Sequence, residues 1–161
     1  MRKNVSINEL LDTVASIREY EMRVRNLEII KRYQPDLPLV MAGPSQLKQV
    51  FLDVIINAEY AISETGKTGT LTITTFLQEN KVGDQAVIIE FSDTGTGIPG
   101  NVITQIFNPF FTTKPVGKGT GLGLSVSYGI IKEHGGKIYA RNRVGGGAVF
   151  TIELPVLESR I

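Results

Sequence analysis

The stretch of sequence that decides the fold reads Gly117-Lys118-Gly119-Thr120-Gly121-Leu122-Gly123-Leu124-Ser125, and it leads into a segment compatible with a helix. Glycines allow backbone N–H groups to come close to an anion, because they carry no side chain. The free amides and the positive dipole end of a following helix favour a phosphoryl group. The run therefore suggests a phosphate site, although a glycine-rich turn before a helix is also common as a plain connector.

An upstream segment, residues 49–62, is predicted to be a helix, because small and apolar residues recur in it at helical spacing. Within it, Asp53 and Asn57 are four residues apart and project from one face. Side-chain oxygens in this arrangement can approach a hard cation such as Mg²⁺. A solvated polar pair on an amphipathic helix is the alternative interpretation.

A third block delivers an acid and two glycines to a turn, and it reads Val87-Ile88-Ile89-Glu90-Phe91-Ser92-Asp93-Thr94-Gly95-Thr96-Gly97-Ile98-Pro99. Its β-branched and apolar first half predicts a strand. At the end of that strand, Asp93 can accept a hydrogen bond from an exocyclic amine, which adenine offers at N6 and guanine does not offer at O6. Alternatively, the acid simply favours a tight turn.

An aromatic block lies between that turn and the glycine run, and it reads Ile106-Phe107-Asn108-Pro109-Phe110-Phe111-Thr112-Thr113-Lys114-Pro115. We expect the segment from Phe107 to Lys118 to form a mobile lid. The prolines at 109 and 115 prevent regular structure, and the glycines at 117 and 119 supply hinge freedom.

In this order, the four blocks resemble the catalytic and ATP-binding domain of sensor histidine kinases, within the GHKL superfamily that also holds gyrase-type and heat-shock-chaperone ATPases. The residues around Asn57 are similar to the N box of the family and residues 93–97 to its first glycine box. Residues 107–113 are similar to its F box and residues 119–124 to its second glycine box. The motifs cover about half of the chain, and the aromatic block is typical of histidine kinases rather than of the other branches.

The resemblance implies a site for ATP and Mg²⁺. Asn57 is similar to the Mg²⁺ ligand of the family, with Asp53 as a second candidate ligand, and Asp93 is similar to its adenine-reading acid. The nucleotide-binding residues that the resemblance implies are Asn57, Ala58, Ala61, Asp93, Gly95, Gly97, Ile98, Phe107, Phe111, Thr112, Thr113, Lys114, Lys118, Gly119, Thr120, Gly121, Leu122, Gly123 and Leu124.

Three positions depart from the family pattern. Asp53 stands where many members have a second Asn, and Tyr60 replaces a lysine that some branches direct at the phosphates. Ala148 stands where relatives often have an adenine-side Thr. Because the first change adds negative charge and the second removes a cation, Lys114 and Lys118 are the expected positive contacts for the triphosphate and, with Asn57, the expected catalytic residues.

The resemblance implies transfer of the γ-phosphoryl group of ATP to a histidine on a dimerisation domain, and then to an aspartate of a response regulator. His134 is the only histidine. We expect it at a helix end, where a cation is favoured, and not as the acceptor. No dimerising helix precedes Ser6, so the acceptor and the homodimer contacts are expected in segments absent here. Two alternatives stay open: a nucleotide-binding regulatory module without transfer, and an anti-sigma-type serine kinase, against which the aromatic block speaks.

Composition favours one domain over residues 1–161, which is near the usual size of a single domain. A net charge of +1 argues against a nucleic-acid or membrane surface chosen by bulk charge. No segment approaches the roughly 18 consecutive apolar residues of a membrane span. The absence of cysteine fits a reducing compartment. We therefore expect a cytoplasmic domain, monomeric in isolation, without direct membrane contact.

The remaining pattern predicts an α+β two-layer sandwich, the Bergerat fold, with a mixed, mostly antiparallel sheet of about five strands and about three helices on one face. A capping box at Ser6 and Glu9 starts a helix that runs to about Glu21. The other expected elements are a strand pair at 27–33 and 39–42, the helix that carries Asn57, a hairpin at 70–78 and 85–92, a helix at 121–134, and closing strands at 137–142 and 149–154.

Overall fold

A computed structural model describes residues 1–109 and 123–156. Within these residues there are three helices, α1 (Ile7–Val24), α2 (Pro44–Ser63) and α3 (Gly123–Glu133). The strands are β1 (Lys3–Val5), β2 (Leu27–Tyr33), β3 (Val40–Ala42), β4 (Gly69–Glu79), β5 (Gln85–Asp93), β6 (Lys137–Asn142) and β7 (Ala148–Pro155). None of the described helices is long and apolar enough to cross a membrane.

The first helix begins where predicted, with Ser6 as its N-cap. The hydroxyl oxygen of Ser6 accepts a hydrogen bond from the backbone N–H of Glu9 over 3.3 Å, which satisfies one of the free amides at the helix start. The helix continues to Val24, about one turn beyond the predicted end. Asn26, with φ of 60°, then turns the chain into β2.

The main sheet has five strands in the order β2-β4-β5-β7-β6. Only β2 and β4 run parallel, and the other three pairs are antiparallel. This confirms the mixed, mostly antiparallel sheet, the hairpin of β4 and β5, and the closing pair of β6 and β7.

The predicted pairing of β2 with β3 is wrong. β3 pairs with β1 in a separate two-stranded sheet, whereas β2 pairs with β4. Between β2 and β3, Pro35 lacks a backbone donor and Asp36 adopts φ of 60°, so the chain leaves the sheet. α2 then provides the long crossover that a parallel strand pair requires.

The hydrophobic core lies between the sheet and the helices. Phe51 of α2 packs on Phe91 of β5 with ring centroids 6.2 Å apart. α1 is joined to α2 by Glu59, which is only 2% exposed and accepts two hydrogen bonds of 2.8 Å from Arg18. Because loss of one partner would leave a buried charge, this ion pair fixes α1 against α2.

Candidate functional site

The turn that follows β5 packs directly on α2. A β-carbon added to Gly95 would lie 2.6 Å from the carbonyl carbon of Ala61, so only glycine fits. The next residue, Thr96, donates its backbone N–H to the carbonyl oxygen of Ala61 over 3.2 Å. The structure thus brings together two of the predicted site residues, Gly95 and Ala61.

Asp93 ends β5 and is only 2% exposed. Its Oδ1 accepts hydrogen bonds from the backbone N–H of Gly95 (2.8 Å) and of Ala148 (3.2 Å). Burial raises the pKa of the Asp93 carboxyl, although the two backbone hydrogen bonds and the charge of Arg143 act to lower it. The result is a carboxyl group of fixed orientation that can accept a hydrogen bond from a ligand.

The turn between β6 and β7 forms a second wall of the site, and sequence reasoning missed it. Gly147 adopts φ of 96°, and a β-carbon there would lie 1.9 Å from the carbonyl oxygen of Asp93. Arg143 donates from Nη1 to the same oxygen over 3.4 Å. Three consecutive glycines at 145–147 were the available signal, since such a run permits close backbone approach.

Asn142, at the end of β6, contacts the turn that follows β5. Its Nδ2 donates to the carbonyl oxygen of Ile98, and its Oδ1 accepts from the backbone N–H of Ile98, both over 2.7 Å. Nothing in the sequence around Asn142 distinguishes it from other polar residues at a strand end.

Asp53 and Asn57 lie one turn apart on α2, and both are half-buried. Oδ2 of Asp53 accepts a hydrogen bond from the hydroxyl of Ser127 over 3.2 Å. A β-carbon on Gly123 would lie 3.8 Å from the carboxyl carbon of Asp53. Asp53 therefore faces the first turn of α3, immediately after the glycine run.

Among the residues that the structure describes, no group of three or more His, Cys, Asp and Glu side chains could hold a metal ion. A cation at Asn57 and Asp53 would consequently need further oxygen ligands. Mg²⁺ is commonly bound in this way, by one or two side chains together with the phosphates of a substrate. The side-chain oxygens of Asn57 and Asp53 therefore fit a Mg²⁺ site only when the phosphate oxygens of a nucleotide complete the coordination.

Phe107 anchors the start of the aromatic block. Its ring lies 5.7 Å from that of Tyr128 on α3 and 6.3 Å, edge to face, from that of Phe150 on β7. Three other predicted site residues contact or join the core: Ala58 is buried, and Ile98 and Leu124 are partly buried against it. The predicted residues that lie outside the described part of the chain are Phe111, Thr112, Thr113, Lys114, Lys118, Gly119, Thr120, Gly121 and Leu122.

His134 lies at the end of α3, as we expected, but its side chain does not face solvent. It is buried, and its Nε2 lies 3.1 Å from the backbone nitrogen of Gly43, which can only donate. Nδ1 lies 2.8 Å from the carbonyl oxygen of Ile130 and must therefore carry the proton. The ring links the end of α3 to the start of α2.

A mixed sheet covered by three helices, with an acid-and-glycine turn packed on the second helix, defines an α+β domain of the GHKL type. The family model described as histidine kinase-, DNA gyrase B- and HSP90-like ATPase matches residues 42–158, and the chain belongs to this family.

Its relatives are sensor histidine kinases. The chain is 41% identical over 163 residues to sensor kinase CckA of Brucella abortus, a match that covers 92% of this chain and 17% of CckA. The catalytic domain of histidine kinase ThkA, in a nucleotide-free form, superposes with a TM-score of 0.81 at 34% identity, covering 96% of this chain and 95% of that isolated catalytic domain. The chain spans only 17% to 32% of the length of the curated relatives it matches.

Two further solved structures are complexes, one with a protein and one with a small molecule. One is ThkA in complex with response regulator protein TrrA, with a TM-score of 0.74 and 33% identity, covering 99% of this chain and 43% of ThkA. The other is full-length ShkA in complex with AMPPNP, with a TM-score of 0.81 and 25% identity, covering 99% of this chain and 32% of ShkA.

Proposed function

We propose that this chain binds Mg²⁺-ATP and transfers the γ-phosphoryl group to a histidine on the dimerisation domain of a sensor histidine kinase, from which it passes to an aspartate of a response regulator. One observation carries the proposal. The buried carboxyl group of Asp93 is held by the backbone of Gly95 and Ala148, and the same turn rests on Ala61 of the helix that carries Asn57.

Asp93 selects the base. With Oδ1 held by two backbone donors, the carboxylate accepts the exocyclic amine of adenine, whereas guanine presents an acceptor at the same position. A buried acceptor facing another acceptor has no compensating hydrogen bond, and the mismatch is costly. The AMPPNP complex of ShkA supports an adenine nucleotide.

Asn57 binds the metal, and Asp53 is the second candidate ligand. When bound, Mg²⁺ neutralises charge on the phosphates. From the sequence we further propose that backbone amides at 119–124 bind the phosphates, with Lys114 and Lys118 as their cationic contacts. The protein contribution to the reaction is then positioning and charge stabilisation rather than covalent chemistry.

The nucleophile comes from elsewhere in the parent protein. An imidazole nitrogen forms a bond to the γ-phosphorus, the bond to the β–γ bridging oxygen breaks, and ADP leaves with the electron pair. His134 does not suit this role, because both ring nitrogens are engaged within the fold and the side chain is buried. The ThkA–TrrA complex supports a response regulator as the later partner.

We also propose that residues 1–161 form one folding unit that is monomeric alone and acts in the cytoplasm, where ATP is available. Dimerisation of the parent kinase would reside in its separate helical domain. Sedimentation of the isolated chain, with and without that domain, tests this organisation.

The decisive experiment mixes the chain, Mg²⁺, γ-labelled ATP and the separately expressed dimerisation domain of its parent kinase. We expect label that is base-stable and acid-labile, as phosphohistidine is, on the dimerisation domain. The variant Asn57→Ala serves as the inactive control. Acid-stable label on serine would instead indicate an anti-sigma-type kinase, and nucleotide binding without transfer would indicate a regulatory module.

A further inference from the structure

Asn142, the last residue of β6, uses both ends of its side-chain amide on a single partner. Nδ2 donates to the carbonyl oxygen of Ile98 and Oδ1 accepts from the backbone N–H of Ile98, each over 2.7 Å. An exchanged assignment of the amide atoms would face donor with donor and acceptor with acceptor, so the two hydrogen bonds fix the orientation. The side chain therefore pairs with Ile98 as a neighbouring strand would.

The turn that follows β5 has no neighbouring strand to pair with at Ile98. β5 ends at Asp93, so Ile98 lies beyond the ladder of the sheet, and the following Pro99 has no donor. Gly97 adopts φ of 79°, and a β-carbon there would lie 3.0 Å from Oδ1 of Asn142 and 3.4 Å from the carbonyl oxygen of Gly147. The backbone at Gly97 and Ile98 is thus held against the end of β6 and the turn that follows it.

The same turn is held on its other side by α2. The backbone N–H of Thr96 donates to the carbonyl oxygen of Ala61 over 3.2 Å, only two residues before Ile98. Residues 96–98 are consequently fixed at two points, one on α2 and one on β6. Because this turn begins next to Asp93, it forms one wall of the space around a base that hydrogen-bonds Asp93.

We propose that Asn142 is a positioning residue for the nucleotide base: it holds Gly97 and Ile98 where the turn forms the wall on which a purine bound to Asp93 lies. The inference rests on the proposed function and deepens it. Among the described residues, the side-chain contacts of Asn142 are with Gly97 and Ile98 of this turn and not with the helix that carries Asn57, so Asn142 acts on the base.

The variant Asn142→Ala removes both hydrogen bonds but keeps the backbone pairing of position 142 with Ala148. Calorimetry should then give a Kd for Mg²⁺-ATP about tenfold higher, as the loss of one to two ordinary hydrogen bonds implies, with unchanged stoichiometry. In the transfer assay KM for ATP should rise by a similar factor with kcat unchanged, because only uniform binding is lost. Asn142→Asp keeps the volume but replaces the donor to Ile98, and it should bind ATP as weakly as the alanine variant.

Arg141→Ala is the matched control, since Arg141 is exposed on the same strand, and it should leave Kd and KM unchanged. Hydrogen exchange of the Ile98 amide without nucleotide reads the pairing directly: exchange should accelerate in Asn142→Ala and stay slow in Arg141→Ala. A lower kcat or stoichiometry with unchanged affinity in Asn142→Ala would mean a purely structural role. An unchanged Kd would also overturn the inference while leaving the proposed function intact. Failure of the wild-type chain to bind ATP would overturn both.

Discussion

The backbone of Gly95 lies so close to Ala61 that a β-carbon on Gly95 would meet the carbonyl carbon of Ala61 at 2.6 Å. Contacts this short force the backbone to move, and overpacking of this kind costs roughly 1–3 kcal/mol. We expect Gly95→Ala to lose about that much free energy of unfolding in urea titrations. Its ATP affinity should fall as well, because the turn that starts at Asp93 must separate from α2.

Gly100→Ala is the control for this change, because a β-carbon on Gly100 meets nothing within 4 Å. Its stability and ATP affinity should both match those of the wild-type chain. Equal behaviour of the two variants would show that the contact between the turn and α2 is not required.

Asp93→Asn should weaken nucleotide binding but stabilise the fold. The free energy of ATP binding should become less favourable by roughly 1.5–3 kcal/mol, the range for a hydrogen bond to a charged group. Burial raises the pKa of Asp93 from 3.8, so ionisation of this carboxyl opposes folding. The stability of the wild-type chain therefore declines as pH rises from the ordinary aspartate value through the raised pKa. The Asn variant should be more stable than the wild type at neutral pH, and this advantage should vanish in acid.

Urea titrations at several pH values and calorimetry with ATP and GTP test both parts. Asp36→Asn is the control, because Asp36 is exposed and its φ of 60° suits Asn equally well. Equal affinity of the wild type for ATP and GTP would contradict the role of Asp93 in base selection.

Asn57→Ala should remove the Mg²⁺ dependence of ATP binding while the fold persists. Asn57 is only half-buried on α2, and a residue that faces a ligand adds little to the core. Calorimetry with Mg²⁺ and with EDTA should give nearly the same affinity in the variant, whereas the two should differ in the wild type. Gln49→Ala, an exposed change on the same helix, should keep the difference. Unfolding of Asn57→Ala, or normal transfer by it, would make Asn57 structural.

His134→Ala should destabilise the chain without affecting phosphoryl transfer. The change leaves the buried N–H of Gly43 without its acceptor, which costs about 1–3 kcal/mol. At temperatures where the variant is folded, label from γ-labelled ATP should reach the dimerisation domain as in the wild type. Glu133→Ala, an exposed neighbour, should be neutral in both assays. Label on His134 itself would contradict its assignment as a buried link.

Element types were predictable wherever the local signal was strong. The helix start at Ser6, the hairpin of β4 and β5, and the closing strands were predicted correctly, because each depends on residues close together in sequence. The predicted pairing of β2 was wrong, because the choice between β3 and β4 as its neighbour depends on a crossover through α2 that local patterns do not encode. The buried contact of His134 was not predictable for a similar reason, since Gly43 lies 91 residues away in the chain.

The sequence by itself determined the chemistry that the site offers: an acid at 93 followed by glycines at 95 and 97, an amide at 57 and the glycine run. These follow from residue type, because only certain side chains accept a given hydrogen bond and only glycine permits close backbone approach. The tertiary structure alone decided what holds that chemistry in place. Ala148 and Asn142 lie 55 and 44 residues from the groups they bind, Asp93 and Ile98. Their contacts arise from the packing of β7 and β6 beside β5, and strand order and register are properties of the whole chain rather than of any segment within it.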